Sequence, residues 1–412
     1  YEEGGQDYPL PYVRWTENRN MQAYLDLLAA GRVRLDGFFG EPYPVDRAAD
    51  AYEALKGEGE KPLMVLLSYP EAADAAPIRR VDIAPPRPAS GRIQVALAGA
   101  SSFAQGVHLP NLEALRGDYE LRAVMSRTGA NARAVATGAE AAYCTTDFAE
   151  ILADPEVDLV MIAARHDLHG GMALESLQAG KHTFVEKPLA LTEAELAAIE
   201  AFYAEHPDGP VLMTGFNRRF APAIAHVRAL LQGRTTPIIA SYRMNAGYIP
   251  PDHWVHGPEG GGRNIGEACH IYDLFGALCG GAPAVRIDAS AIAPPSAQWA
   301  RNDNFVATVA FADGSVCTLA YTAMGDKGFP KEQMDVFADG KVIHMNDFKR
   351  VDVHGGRHKG WQSATVRKGQ LEELQALADT LLRGKAWPIA LDEQLGASRI
   401  ALEVERQITA RA

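Results

Sequence analysis

Cysteine is scarce in this chain of 412 residues: Cys144, Cys269, Cys279 and Cys317 are the four, and none stands in the close pairs that hold structural zinc. That spacing predicts neither a disulfide framework nor a metal site, and it suits reduced thiols in a cytoplasmic enzyme. No apolar run approaches the ~20 residues that cross a bilayer. Basic residues are outnumbered, 40 against 52 acidic, for a net charge of −12, which argues against nucleic acid or an anionic membrane surface as main partner. A starting methionine is also missing; the chain opens at Tyr1, so a native start and any export signal are expected upstream. What is present, 47% hydrophobic and 22% charged residues, is the composition of a globular protein long enough for two or three domains.

Against that background one stretch stands out, Ala179-Gly180-Lys181-His182-Thr183-Phe184-Val185-Glu186-Lys187-Pro188-Leu189-Ala190. A short apolar strand, His182 to Val185, breaks into a charged pair and a proline, and Pro188 biases Lys187 towards an extended backbone. A lysine at the carboxyl end of a strand points to where open α/β sheets bind ligands. Taken alone, Glu186 and Lys187 read as an ordinary surface ion pair at a loop, so the surroundings decide.

The first 71 residues predict a helix from Asn18 to Ala30 (Met21, Tyr24, Leu25 and Leu28 on one face) ended by Gly31, strands over 34–39 and 63–68, and a helix around 46–55. Arg14-Trp15-Thr16-Glu17-Asn18-Arg19-Asn20-Met21 and Lys61-Pro62-Leu63-Met64-Val65-Leu66-Leu67-Ser68-Tyr69 resemble the C-terminal end of a zinc-type medium-chain alcohol dehydrogenase. The resemblance implies a remnant, 1–71, without that family's zinc ligands or nucleotide turn. A proline-rich linker, 72–90, with Pro77, Pro85, Pro86 and Pro88, is expected to follow.

From residue 91 to 215 strands and helices alternate: Arg92–Ala98, Tyr119–Ser126, a helix over 147–152, Val157–Ala164, a helix over 168–179, and Thr183–Val185. Such alternation predicts a parallel sheet covered on both faces, a Rossmann dinucleotide domain. Gly99-Ala100-Ser101-Ser102-Phe103-Ala104 is a partial G-x-G-x-x-G/A turn: Gly99 and Ala104 fit, and Ser101 stands where a second glycine lets the backbone approach a pyrophosphate. The second strand ends in Ser126-Arg127 where an NAD site usually has an acid. That favours NADP over NAD, since arginine holds a 2′-phosphate, although arginine also stacks on the adenine of either cofactor.

Leu159-Val160-Met161-Ile162-Ala163-Ala164-Arg165-His166-Asp167-Leu168-His169 together with the Glu186-Lys187-Pro188 stretch resembles the glucose–fructose oxidoreductase/inositol dehydrogenase (Gfo/Idh/MocA) family. The likeness runs from about Arg92 to the C-terminus. Preceded by the alcohol-dehydrogenase likeness, it suggests a fused bi-domain oxidoreductase cut inside its first domain. It implies a nucleotide site that includes Ala164, Arg165, His166, His169, Glu186 and Lys187.

Residues 216–412 predict a helix over 223–231 and six strands between 238 and 344, a mainly antiparallel sheet of an α/β substrate domain that also supplies a homodimer or homotetramer face. Asn217 and Arg218 are candidates for the cleft, and Arg219 for an interdomain salt bridge. The loop Tyr248-Ile249-Pro250-Pro251-Asp252-His253-Trp254 suits a sugar face, or is an Ω-loop of structural purpose. Gly260-Gly261-Gly262-Arg263-Asn264-Ile265-Gly266-Glu267-Ala268-Cys269-His270-Ile271-Tyr272-Asp273 opens on three glycines and continues as a helix with His270 and Asp273 on one face. The resemblance makes His270 the general acid/base, in a His-x-x-Asp setting. Many relatives have an aspartate four residues earlier; here that position is Gly266, and Glu267 is expected to take its place.

The function so implied is hydride transfer between NAD(P) and the hydroxyl-bearing carbon of a sugar, cyclitol or nucleotide sugar. His270 would be the base, Lys187 the cation that bonds the same oxygen or relays its proton, and Glu267 a group that orients His270 or binds a neighbouring hydroxyl. Asp273, Tyr248, His253 and Trp254 would meet the substrate. A hydride-shuttling lyase or epimerase, a cofactor-binding module without turnover, and a structural partner of a missing domain are the competing readings.

Overall fold

Thr16 accepts a hydrogen bond from the Arg19 amide and so caps the first helix, α1 (Glu17–Ala29). The computed structural model describes residues 6–35, 37–38, 40–56, 62–69, 78–84, 91–293 and 299–410. The chain divides into two compact units, Tyr1–Pro77 and Ile78–Ala412.

In the first unit the Arg19 guanidinium reaches the carbonyls of Tyr8 and Val13 and pairs with Asp7 at 3.2 Å. Met21, Tyr24 and Leu25 on α1 stay exposed. Strand β1 (Tyr43–Pro44) pairs in parallel with β2 (Leu67–Ser68), and α2 (Ala48–Lys56) lies between them in sequence. Two expectations need correction here. The strand over 34–39 does not form among the described residues, because Gly37, at φ +88°, turns the chain back; residues 36 and 39 lie outside the description. The strand over 63–68 shortens to its last two residues.

The second unit holds two sheets. The first contains β3 (Arg80–Asp82), β4 (Ile93–Ala98), β5 (Tyr119–Met125), β6 (Tyr143–Thr145), β7 (Leu159–Ile162), β8 (His182–Val185) and β9 (Leu212–Thr214), in the order β3-β6-β5-β4-β7-β8-β9. All pairs but β3–β6 are parallel. Its helices are α3 (Leu109–Ala114), entered through a wide turn over Ala104–His108, α4 (Gly129–Gly138), α5 (Phe148–Ala153), α6 (His169–Gln178) and α7 (Glu193–Glu205). The Thr192 side chain and Glu195 cap α7 reciprocally. Both sheet faces are covered, so β7 is wholly buried and reads as an unbroken apolar run.

Strand β3 corrects the linker expectation. Part of 72–90 is an edge strand, fixed because Val81 packs on the cluster around Val124 and Cys144, and Arg80 lies 3.7 Å over the Tyr143 ring. Pro77, Pro85, Pro86 and Pro88 lie outside the described residues. The three-residue strands β6 and β9 are too short to show a period, and no expectation covered them.

After α8 (Pro222–Leu231) come β10 (Ile239–Asn245), α9 (Cys269–Leu278), β11 (Ala284–Ala291), β12 (Asn304–Phe311), β13 (Val316–Thr322), β14 (Glu332–Ala338), β15 (Lys341–Asn346), β16 (Arg350–His354) and β17 (Trp361–Gln362), then α10 (Gln370–Arg383) and α11 (Leu391–Ala410). The second sheet runs β11-β12-β13-β10-β14-β15-β16-β17 and is antiparallel except for β10–β13. This is the expected α/β architecture: a Rossmann-type sheet and a large, mainly antiparallel one. One apolar core joins them, with Leu97, Phe184 and Phe216 from the first sheet's side and Tyr242, Phe275 and Leu319 from the second. Each such buried side chain contributes ~1.5–3 kcal/mol.

Candidate active site

The carboxyl ends of β4, β7 and β8 meet the start of α9, and that junction gathers most of the residues singled out in the sequence. Gly99 follows β4 at φ +109°, and a Cβ there would lie 2.5 Å from the Ala163 carbonyl carbon after β7. Only glycine lets the two strand ends come this close. The next helix begins beyond Ser101, whose hydroxyl accepts from the Ala104 amide, while Ser101, Ser102 and Phe103 stay exposed and Ala104 is buried against the core. A helix start with exposed amides, lacking an acidic side chain, fits the pyrophosphate of a dinucleotide. At the end of β5 the Ser126 hydroxyl accepts from Asn131, and Arg127 is exposed beside it.

After β7, Arg165 lies 4.0 Å over the Trp254 ring and His166 meets the same indole edge-on at 5.0 Å. His166 Nδ1 stands 2.8 Å from the Gly260 carbonyl, and burial, then the Lys187 charge, push its pKa down to about 3. His166 is therefore neutral and donates. His169 is buried between the Pro188 carbonyl, 2.7 Å from Nδ1, and that of Ala164, 3.2 Å from Nε2. Burial lowers its pKa, so it carries one proton and can donate to only one of these carbonyls, that of Pro188 being the nearer.

Glu186 turns inward. Its Oε1 lies 2.8 Å from Nε2 of His108, a buried residue that no sequence signal marked. Lys187 turns the other way: Nζ donates to the Gly266 carbonyl at 2.8 Å. His270 follows Gly266 by four residues, one helical turn on. It is buried, and its Nδ1 has no partner among the described residues. Burial first, then the charges of Arg218, Lys187, Lys368 and Lys331, hold its pKa well below 6.5, so the ring is neutral.

Glu267 does not reach His270. Its carboxylate accepts from Arg263 at 2.9 Å, Tyr321 at 2.6 Å and Lys331 at 3.0 Å. Burial opposes its ionisation, but the Lys331 and Arg263 charges outweigh that and hold the carboxyl well below the carboxylate range. The orienting contact expected of it is replaced by this network, because the wide turn Asn264–Ala268 aims the side chain at β13 and the start of β14. An aspartate at position 266 has no room: a Cβ on Gly266 would lie 2.9 Å from Cε1 of His166.

The other cleft candidates are engaged as follows. Arg218 holds Glu332 through two bonds of 2.8 and 3.2 Å, and Asn217 donates to the Lys368 carbonyl at 2.7 Å. Asp273 is clasped by Arg219 at 2.6 and 2.9 Å, with Glu393 on the same guanidinium. Burial raises the Asp273 pKa to about 6 against that pull. Tyr248 is exposed and packs edge-on against Trp299 at 5.3 Å, and His253 accepts from the Val255 amide. Lys331, Glu332 and Lys368 were not foreseen; they lie more than a hundred residues from Lys187 and carry no local motif.

Comparison with known proteins agrees with the Rossmann-type fold. Residues 93–214 match the model of the family described as "Oxidoreductase family, NAD-binding Rossmann fold", Gfo/Idh/MocA. An uncharacterized oxidoreductase of Synechocystis sp. is 27% identical over 289 residues, 65% of this chain and 76% of that protein. The 1,5-anhydro-D-fructose reductase of Ensifer adhaerens is 34% identical over 170 residues, 40% of this chain and half the length of that protein. A levoglucosan dehydrogenase solved with NADH and levoglucosan superposes with a TM-score of 0.66 at 18% identity, over 78% of this chain and 98% of that one, a likeness of fold. Fold, turn and relatives together define a nicotinamide-dependent oxidoreductase. The match to the Gfo/Idh/MocA family model is confined to the dinucleotide part, 93–214.

Proposed function

We propose that the chain oxidises a hydroxyl, or reduces the matching ketone, on a sugar, cyclitol or nucleotide sugar. One arrangement carries this reading: the Lys187 ammonium is bonded to the Gly266 carbonyl one turn before a buried, neutral His270. Removing hydride from a carbinol requires a base for the hydroxyl proton and a fixed cation for the oxygen. His270 takes the proton on its imidazole ring, and Lys187 stabilises the alkoxide. The bound nicotinamide supplies the hydride acceptor.

Gly99, Ser101, Ser102, Phe103 and Ala104 hold the pyrophosphate, and Ser126 and Arg127 face the adenosine ribose. Ala164, Arg165, His166, His169 and Glu186 border the nicotinamide end. Arg127 at the end of β5, with no acid beside it, supports NADP over NAD. Tyr248, His253 and Trp254 are the substrate's aromatic side. Asn217, Arg218 and Asp273 act by fixing the cleft wall, since their polar groups are already taken. Glu267 holds Arg263 and Lys331 in place.

Residues 91–215 and 216–412 serve as nucleotide and substrate domains, and 1–71 as an alcohol-dehydrogenase-like remnant. Ile239, Val316 and Phe337 stand side by side in register and exposed across β13, β10 and β14, which supports a homodimer or homotetramer through this sheet. The four cysteines are free thiols, in keeping with a cytoplasmic setting.

Oxidation of a panel of sugars and cyclitols, followed by NADPH and NADH absorbance, tests the reading. Net cofactor reduction with at least one polyol is expected. Cofactor that binds tightly but is never reduced, while substrate is converted, contradicts it in favour of a lyase or epimerase.

A further inference from the structure

Two carboxylates flank the proposed cleft, and each lies beneath a lysine, Glu332 buried and Glu267 half-buried. Glu332, with no side-chain exposure, accepts from Arg218, from Tyr242 at 2.6 Å and from Lys368 at 2.5 Å. Lys368 itself is 25% exposed. Glu267, 20% exposed, accepts from Arg263, Tyr321 and Lys331, and Lys331 is 43% exposed. Acid lies inside and ammonium outside in both clusters, so the surface presented to a ligand is cationic.

The lysines are not loose. Gly369, at φ +95°, approaches the 217–221 segment so closely that a Cβ would lie 2.2 Å from the Asn217 carbonyl oxygen, and Asn217 binds the Lys368 carbonyl in return. Lys331 directly precedes Glu332 at the start of β14, and its amide donates to Asp347. An ammonium has three donors, and each of these spends one on its carboxylate. Both lysines are tied to segments beside His270: Lys331 through Glu267, three residues before it, and Lys368 through Glu332 to Arg218, two residues after Phe216, whose ring lies 6.2 Å from that of His270. The alkoxide formed in the reaction needs one cation, which Lys187 supplies; the others have no task in that step.

We infer that the substrate carries an anionic group, a carboxylate or a phosphate, received by Lys331 and Lys368 beside His270. This rests on the oxidoreductase reading above and names its substrate class. Positive walls around a cleft concentrate and orient an anion, whereas a neutral polyol gains nothing from them. Substitution of one ammonium bonded to an anion costs about tenfold in affinity.

The test compares kcat/KM of the full chain for three arms: neutral glucose and myo-inositol, glucuronate, and glucose 6-phosphate, with NAD and NADP. An anionic arm is expected to exceed the neutral one, glucuronate marking a carboxylate and glucose 6-phosphate a phosphate. Lys331→Gln and Lys368→Gln should each lower the anionic-to-neutral ratio about tenfold, and added salt should lower it in the parent. Equal kcat/KM for charged and neutral arms overturns the inference and leaves the oxidoreductase reading standing. Binding is read separately, from the melting shift of the NADH-loaded protein. If no arm is oxidised, the oxidoreductase reading fails on its own. Protection by an anionic sugar, lost in Lys331→Gln, then still supports the anion site, and equal or absent protection by all arms overturns it.

Discussion

His166 occupies the space that a side chain at position 266 would need: a Cβ on Gly266 would lie 2.9 Å from its Cε1 and 3.2 Å from its Nδ1. The His166 ring cannot yield freely, being hydrogen-bonded to Gly260 and packed on Trp254. Gly266 is also the residue whose carbonyl receives Lys187. The glycine thus fixes the distance between the nucleotide side and the helix that carries His270.

From this, Gly266→Ala should cost ~1–3 kcal/mol of stability through overpacking, and Gly266→Asp at least as much, without gain in turnover. Trimming the obstructing ring should relieve the strain. Chemical denaturation of Gly266→Ala, His166→Ala and the double variant should therefore give a combined loss smaller than the sum of the two. Strict additivity would mean that the two residues do not press on one another.

Glu267→Gln leaves Arg263 and Lys331 facing each other without their shared anion. The expected loss is ~1–3 kcal/mol, larger than for an exposed pair because Tyr321 also loses a charged acceptor. Turnover should fall far less than in His270→Ala, since Glu267 has no bond to the ring. A loss of turnover equal to that of His270→Ala would return Glu267 to the reacting centre.

Glu373 on α10 is fully buried and neither carboxylate oxygen has a partner among the described residues. Burial first, then the nearby Glu186 and Asp273 charges, raise its pKa well above 4.5. A carboxyl raised in the folded state binds a proton that the unfolded chain has released, so stability falls as pH climbs from about 4.5 towards the folded pKa. Glu373→Gln removes that slope. Melting temperatures of variant and parent should differ least near pH 4.5 and increasingly in the variant's favour at neutral pH. A difference independent of pH would show that Glu373 ionises normally.

Arg127 supplies the cofactor test. Arg127→Ala should weaken NADPH binding, seen by nucleotide fluorescence, by more than it weakens NADH binding. Tighter NADH binding in the parent, unchanged by the substitution, would remove the 2′-phosphate role.

Much of the scaffold was legible because its signals are local. Buried parallel strands such as β7 are continuous apolar runs, and the Glu186-Lys187-Pro188 break and the Gly99 turn are each contained within a few consecutive residues. The short strands β6 and β9 escaped because three residues carry no period, and β3 escaped because proline composition masked a strand held mainly by its neighbours. The side of the cleft formed by Lys331, Glu332 and Lys368 was invisible for a different reason. Its members come from β14 and the approach to α10, and only the folded sheet brings them to His270. Glu267 was misdirected because helical spacing was assumed across a turn that is wider than an α-helix.

The central claim, that Lys187 and His270 together perform the chemistry, is tested most directly by Lys187→Ala under saturating cofactor and a polyol that the parent oxidises. Turnover should drop ~10²–10⁴-fold, the range of a positioned acid/base group, while the dissociation constant for the nucleotide stays near that of the parent. A variant that turns over at the parent's rate would contradict the account and leave Lys187 a structural tie to the Gly266 carbonyl.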